Sequence, residues 1–263
     1  MKLKSFLLLL ITISAQLSAQ ELITRKDSLK GSLRIERTCF DVLHYDLNVR
    51  VTPSEKFIVG YNEKYGWKTA YASPENTPTY LHAHKLMRKT WQGMPRVEDI
   101  NTDKWNQVAD HVNDNYYFID MERYTLDSVL RKGAELVKRK GIKCLVIDPF
   151  NKVRDNDASG DVNVYTLEYL SKIEIFAKKY DVLVMVVAHP TKMYKDAKGN
   201  IEEPTMYNIK GGGEWYDASY HGILVHRDYE NKTVKAKVLK VKFQNLFLFD
   251  PSECDQIQVV QDL

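Results

Sequence analysis

The chain has 263 residues, 44% of them hydrophobic and 28% charged, and a formal net charge of +3. That balance excludes a disordered chain and a multi-span membrane bundle, and the length suits one main domain with an appendage. A small positive charge permits a nucleic-acid partner without arguing for one, so the placement of charge must decide.

The first twenty residues stand apart. Lys2 and Lys4 precede a continuous apolar run from Phe6 to Ile13, and "SAQLSAQ" closes it with small residues. A basic start, an apolar stretch too short to span a bilayer and a small-residue end predict a secretory signal peptide over residues 1–20, with a buried helix as the competing reading. The three cysteines, Cys39, Cys144 and Cys254, form neither a paired framework nor a metal spacing. Cys144 lies in an apolar run and reads as a small core residue.

Residues 21–61 form a separate β segment, and from Gly31 to Tyr61 the pattern has period two. In "HYDLNVRV", Tyr45, Leu47, Val49 and Val51 alternate with His44, Asp46, Asn48 and Arg50, which predicts a half-buried antiparallel strand. Pro53 and Ser54 turn the chain, and Phe57 to Tyr61 can return as the second strand of a hairpin.

Beyond Asn62 strands and helices alternate. "WKTAYAS" is a short strand, Pro78 to Gln92 a helix opened by its proline, and "YYFID" a further strand. Thr125 to Lys140 is amphipathic, with Leu126, Val129, Leu130, Ala134 and Val137 on one face. "KCLVIDPF" follows, then a helix from Val162 to Lys179, then "DVLVMVVAHP", "GILVHRD" and "TVKAKVLKVKF". Leu145 to Ile147 and Val182 to Ala188 are unbroken apolar runs of the kind found in strands buried on both faces. A mainly parallel sheet covered by helices is implied.

In open α/β sheets ligands gather beyond the carboxyl ends of the strands. Those ends deliver Ser73, Pro74, Glu75 and Asn76 from the first strand of this half, Asp148 from the central one and His189 from another. An aspartate directly after a buried strand can hold the magnesium water shell of a nucleoside triphosphate, although aspartates also end strands as turn residues. Glu75 can orient or deprotonate an attacking water, or stand as an exposed loop carboxylate. His189 can sense a terminal phosphate by hydrogen bonding, or simply be packed.

"YASPEN", "LVIDPFN", "VVAHPTK" and "IKGGGEWYDASYHGILVHRD", in that order, resemble successive motifs of hexameric replicative helicases of the DnaB and Twinkle type, above all the helicase part of phage and mitochondrial primase-helicases. The resemblance runs over residues 62–245 and implies a RecA-like core acting with ATP and Mg2+ on single-stranded DNA in a homohexameric ring. It implies that Glu75 is the catalytic carboxylate, Asp148 the magnesium-holding aspartate and His189 the phosphate sensor. Lys210, Gly211, Gly212 and Gly213 match the segment that approaches single-stranded DNA, where flexible glycines and a lysine suit backbone phosphates. Lys240 and Lys242 fall where the family places a lysine and an arginine finger reaching the nucleotide of a neighbouring subunit. A lysine at 242 gives up the bidentate grip of arginine.

One part is missing. A phosphate loop reads G-x-x-x-x-G-K-[ST], its backbone N–H groups wrapping the phosphates. In "GYNEKYGWKT" the glycine spacing is one too long and Trp67 separates Gly66 from Lys68. By the resemblance, "NEKYGW" is the last turn of the helix after that loop, with Gly66 as its stop. The expectation is therefore an α/β, RecA-like P-loop NTPase core truncated before its phosphate loop, preceded by a signal peptide and a short β-hairpin segment, and impaired in ATP hydrolysis.

The upstream stretch "DSLKGSLRIERTCFDVLHYDLNVRVTPSEKFIVGY" is similar to the start of secreted aminopeptidase-N-type zinc peptidases, where it opens a β-sandwich. No H-E-x-x-H zinc helix accompanies it, and His82 with His84 is spaced so that the two fall on different helix faces. A signal peptide points to export and a helicase core to the cytoplasm. A non-catalytic secreted protein, or a fusion of unlike segments, is the alternative reading, and residues 246–263 match no motif.

Overall fold

The computed structural model describes residues 7–13, 62–63, 65–76, 79–90, 102–155, 161–191, 204–228, 233–242 and 257–260. The expected hairpin of residues 21–61 lies outside them, as do Cys39 and Cys254. The strands are β1 (Leu7–Ile13), β2 (Lys68–Ala72), β3 (Tyr116–Phe118), β4 (Ile142–Ile147), β5 (Leu183–Ala188), β6 (His221–Asp228), β7 (Thr233–Val241) and β8 (Ile257–Val260). The helices are α1 (Thr79–Thr90), α2 (Thr102–Asn115), α3 (Leu126–Lys140), α4 (Val162–Tyr180) and α5 (Gly212–Ala218). Together the strands form one sheet in the order β3-β2-β4-β5-β1-β6-β7-β8.

Strands β3, β2, β4 and β5 are parallel, with Ala72 opposite Ile147 and Ile147 opposite Val186. Because side chains alternate along a strand, each strand feeds both faces. Ala70, Ala72, Leu145, Ile147, Val184 and Val186 pack with Leu126 and Val129 of α3 and with Leu170 and Ile173 of α4. Tyr71, Cys144, Val146, Met185 and Val187 face the other way, against Leu86 and Met87 of α1 and Val108 and Val112 of α2. The buried Cys144 is a core residue, as its apolar neighbours suggest.

Local signals set the helix ends. Thr125 caps α3, its hydroxyl accepting from Ser128 N at 3.2 Å while Ser128 Oγ accepts from Thr125 N at 3.2 Å. Asp161 caps α4 by accepting from Asn163 N at 2.8 Å. Such caps satisfy donors that a helix start leaves without intrahelical partners. Gly66, at φ +67°, stops the helical turn before β2, with its N–H bonded to Asn62 O at 2.8 Å.

Helix α2 has no counterpart among the expected elements. Its inward stripe is Trp105, Val108, Ala109 and Val112, in an otherwise polar sequence. The apolar run read as part of a leader is a strand: β1 lies between β5 and β6, antiparallel to both, with Leu9 opposite Ala188 and Thr12 opposite His221. Strand β8, from the tail that matched no motif, pairs with β7.

Candidate functional site

Since β2, β4 and β5 are adjacent and parallel, their carboxyl ends open on one edge of the sheet. The residues that follow them, Ser73 to Asn76, Asp148 and His189, share that edge, as the sequence predicts. The backbone N–H of Asp148 still bonds to Ala72 O at 3.0 Å, so the aspartate leaves the ladder one residue beyond the last pair. The residue is 9% exposed. The following Asp148–Pro149 peptide is cis.

Ser73 to Asn76 form a tight turn closed by Asn76 N donating to Ser73 O at 3.1 Å. Within it Asn76 is a hub: its amide nitrogen donates to Ser73 Oγ at 2.7 Å and, at 3.5 Å, to Asp148 Oδ2. Its carbonyl oxygen accepts from Lys85 Nζ of α1 at 2.5 Å. The turn thus ties the ends of β2 and β4 to the first helix, and Glu75 stands exposed at its tip. The sequence placed Asn76 at a strand end but gave no sign of Lys85, nine residues further on.

His189 directly follows β5, half-buried, and the chain beyond it is anchored. Pro190 bridges to Ile209, and the Thr191 N–H and hydroxyl both donate to Asn208 O, at 2.7 and 2.9 Å. The histidine is therefore two residues from the segment leading into Lys210–Gly213. That segment is less loose than its glycines suggest. Gly211 has φ +85°, and a Cβ there would sit 2.4 Å from Thr166 Oγ1. A Cβ on Gly212 would meet the Tyr207 carbonyl oxygen at 2.3 Å. Close packing fixes these two residues as glycine, a correction to the expectation of flexible ones, whereas Gly213 faces open space. Lys210 is exposed, and its carbonyl accepts from the indole nitrogen of the buried Trp215 at 3.0 Å.

Lys240 and Lys242 are elsewhere. Val241 pairs with His221, the first residue of β6, and His221 pairs with Thr12. Through Gly222 and Ile11, Lys240 lies level with Val186 and Ile147, and Lys242 lies two residues lower, but β7 is three strands across the sheet from β5, so the chain does not bring these lysines to its own strand-end site. Lys240 Nζ donates to Tyr216 O and lies 4.6 Å from the Tyr216 ring centre. Burial, then the nearby charge of Lys242, lowers its pKa. Lys242 Nζ lies 4.5 Å from the ring of Tyr220.

The chemistry expected of the site has two halves, and the described residues fit one. A buried carboxylate at a strand end is the donor Mg2+ requires. The phosphate half does not fit: Lys68 is a strand residue paired with Ile142. Strand β1 occupies a central slot but runs antiparallel to β5, so it presents its amino end, and not its carboxyl end, at the edge where a phosphate loop would have to emerge. Among the described residues no group of three or more His, Cys, Asp or Glu side chains could hold a metal ion. His82 is buried against Tyr71 and Phe118 and His84 is exposed, in agreement with their spacing. No described helix is long and apolar enough to cross a membrane.

No known family model matches the chain. It is 30% identical over 185 residues to a Twinkle homolog protein, chloroplastic/mitochondrial, of Arabidopsis thaliana, a match covering 66% of this chain and 26% of that protein. The chain thus spans about a quarter of the relative's length. A solved ATPase domain superposes with a TM-score of 0.55 at 12% identity, over 78% of this chain and 74% of that one. A DnaB-like replicative helicase, solved in a study of its interactions with primase, gives 0.55 at 13%, over 72% of this chain and 48% of that one. The chain is thus similar in sequence to a Twinkle homolog and shares its α/β fold with the two solved domains.

Proposed function

We propose that residues 62–245 are a core related to ATP-dependent replicative DNA helicases that engages single-stranded DNA and has lost most of its capacity to hydrolyse ATP. The observation that carries this reading is the shared edge: Glu75, Asp148 and His189 follow three adjacent parallel strands in the order such a motor requires. Asp148, held from one side by Asn76, would bind the Mg2+ of a triphosphate, Glu75 would face the attacking water and His189 would meet the terminal phosphate. Loss of the wrapping N–H groups is the reason for the second half of the proposal. A single hydrogen bond to a charged group contributes about 1.5 to 3 kcal/mol, and a phosphate loop supplies several.

The test is turnover of radiolabelled ATP by the purified full chain beside Asp148→Ala. We expect both at the level of buffer. Robust turnover that Asp148→Ala abolishes would overturn the impairment while keeping the motor reading. Turnover equal in both proteins and above buffer would remove Asp148 from the role given to it.

A further inference from the structure

We infer that Tyr207 is a stacking platform for an unpaired nucleobase, set beside Lys210, so that the segment from 207 to 213 reads single-stranded nucleic acid through a base as well as through phosphates. The inference rests on the single-strand binding proposed above and adds a residue and a mode of contact to it. Tyr207 is 60% exposed, yet its ring is not loose: it stacks on Tyr216 with 5.1 Å between ring centres and 20° between planes. Tyr216 is itself held, its ring contacted by Lys240 Nζ at 4.6 Å and its carbonyl accepting from the same ammonium.

The backbone beneath Tyr207 is equally fixed. Tyr207 is the middle residue of a 3-10 turn, Met206–Asn208, flanked by the buried Met206 and Ile209. The Asn208 side-chain oxygen accepts from Thr205 N at 2.6 Å and from Thr205 Oγ1 at 3.0 Å. Thr191 ties the turn to the end of β5, and Gly212 packs against the Tyr207 carbonyl. The ring therefore projects into solvent from a rigid support, and no slack in the chain accounts for its exposure. An aromatic face presented in this way, with an ammonium close in sequence, is what base stacking uses, because every base has a π-face and the lysine can meet the adjoining phosphate. Glu214 and Asp217 on α5 carry charges that oppose phosphate, which leaves the exposed Lys210 as the cation of residues 207–213 able to meet one.

Binding of the full chain to a fluorescein-labelled dT oligonucleotide, and to the same oligonucleotide with abasic sites replacing the bases, separates the possibilities by anisotropy at two salt concentrations. Tyr207→Ala is expected to weaken dT binding about tenfold and to leave abasic binding unchanged, while Tyr207→Phe and Tyr207→Trp keep wild-type affinity. Its salt dependence should match wild type, whereas Lys210→Ala should lower the slope of log affinity against log salt by about one phosphate contact. Equal weakening of dT and abasic binding by Tyr207→Ala would show a merely structural role and overturn the inference. So would unchanged dT binding, including the case in which Tyr207→Ala alters self-association only, since the occupant would then be a second copy. Failure of the wild type to bind dT at all would remove the single-strand reading itself and this inference with it.

Discussion

Strands β3, β2, β4 and β5 are parallel, and each of the three segments of chain between them carries at least one α-helix. By contrast β1, β6, β7 and β8 run antiparallel to their neighbours and draw residues from both far ends of the sequence, with Leu7 paired to His226 and Val260 to Thr233. In the first half helices bridge the parallel strands in turn; in the second, β6, β7 and β8 pair with their neighbours in the chain, Asp228 opposite Thr233, and β1 is brought in across a very long loop before its pairing rewards it. The polar groups proposed for chemistry all follow strands of the first half. The second half contributes the lysines that meet Tyr216 and Tyr220.

The largest effect should come from the parallel half. Leu145 is fully buried on the central strand β4, where the α3 residue Gly133 approaches so closely that a Cβ on it would lie 3.1 Å from the leucine. So little space lets the site relax only slightly, and Leu145→Ala should cost about 3 to 4 kcal/mol in urea unfolding. Val225 of β6 is also buried, and Val225→Ala removes fewer atoms from a strand that pairs with nearby β7 on one side and distant β1 on the other. It should cost roughly 1 to 2 kcal/mol less than Leu145→Ala. Equal costs would dissolve the contrast between the halves.

What was legible in the sequence follows the same division. Thr125, the apolar face of α3 and the unbroken runs of β4 and β5 carry their structure in a few neighbouring residues, so the elements and the shared edge of Glu75, Asp148 and His189 could be read directly. Partners fixed only by the tertiary fold could not. Lys85 meets Asn76 because α1 folds back over the turn, and Tyr207 meets Tyr216 across the Lys210–Gly213 segment. The hydrophobic run of β1 has no alternation from which a register could be read, and the same residues fit a leader and a buried strand equally well. Gly211 and Gly212 read as freedom in one dimension and are tight packing in three.

The placement of β1 is the next point at which the comparison can be broken, through connectivity more than stability. Thr12 lies opposite His221 in the antiparallel register, whereas a strand entering the same slot in the direction of β5 would bring Leu7 there instead. In a chain with Cys39, Cys144 and Cys254 changed to alanine, Thr12→Cys with His221→Cys should form a disulfide on mild oxidation, because directly paired strand residues fall within bridging distance. Leu7→Cys with His221→Cys should not. The reverse pattern would reverse the strand, and a purified chain whose mass lacks the first twenty residues would replace retention of β1 by processing of a leader.

The smallest expected effect sharpens the comparison at the same junction, where β6 meets β1 and β7. Burial pushes the His221 imidazole down from near 6.5 to about 4. The native state therefore resists a proton that the unfolded chain accepts, and stability must fall as pH drops from about 6.5 toward 4, the loss levelling off below the folded pKa. With solvent screening at a partly accessible ring, the loss should be on the order of 2 kcal/mol. Glu174 acts in a separate window. Its hydrogen bond from Lys178, aided by that from Tyr220, lowers its pKa, so its contribution is present above about 4.5 and is lost only below it. His221→Gln, which has no proton to gain, should flatten the urea midpoint between pH 6.5 and 4.5 and leave the decline at lower pH unchanged. A slope that survives the substitution would mean that the antiparallel half does not sense protons at this histidine, and that acid acts on both halves through their carboxylates alone.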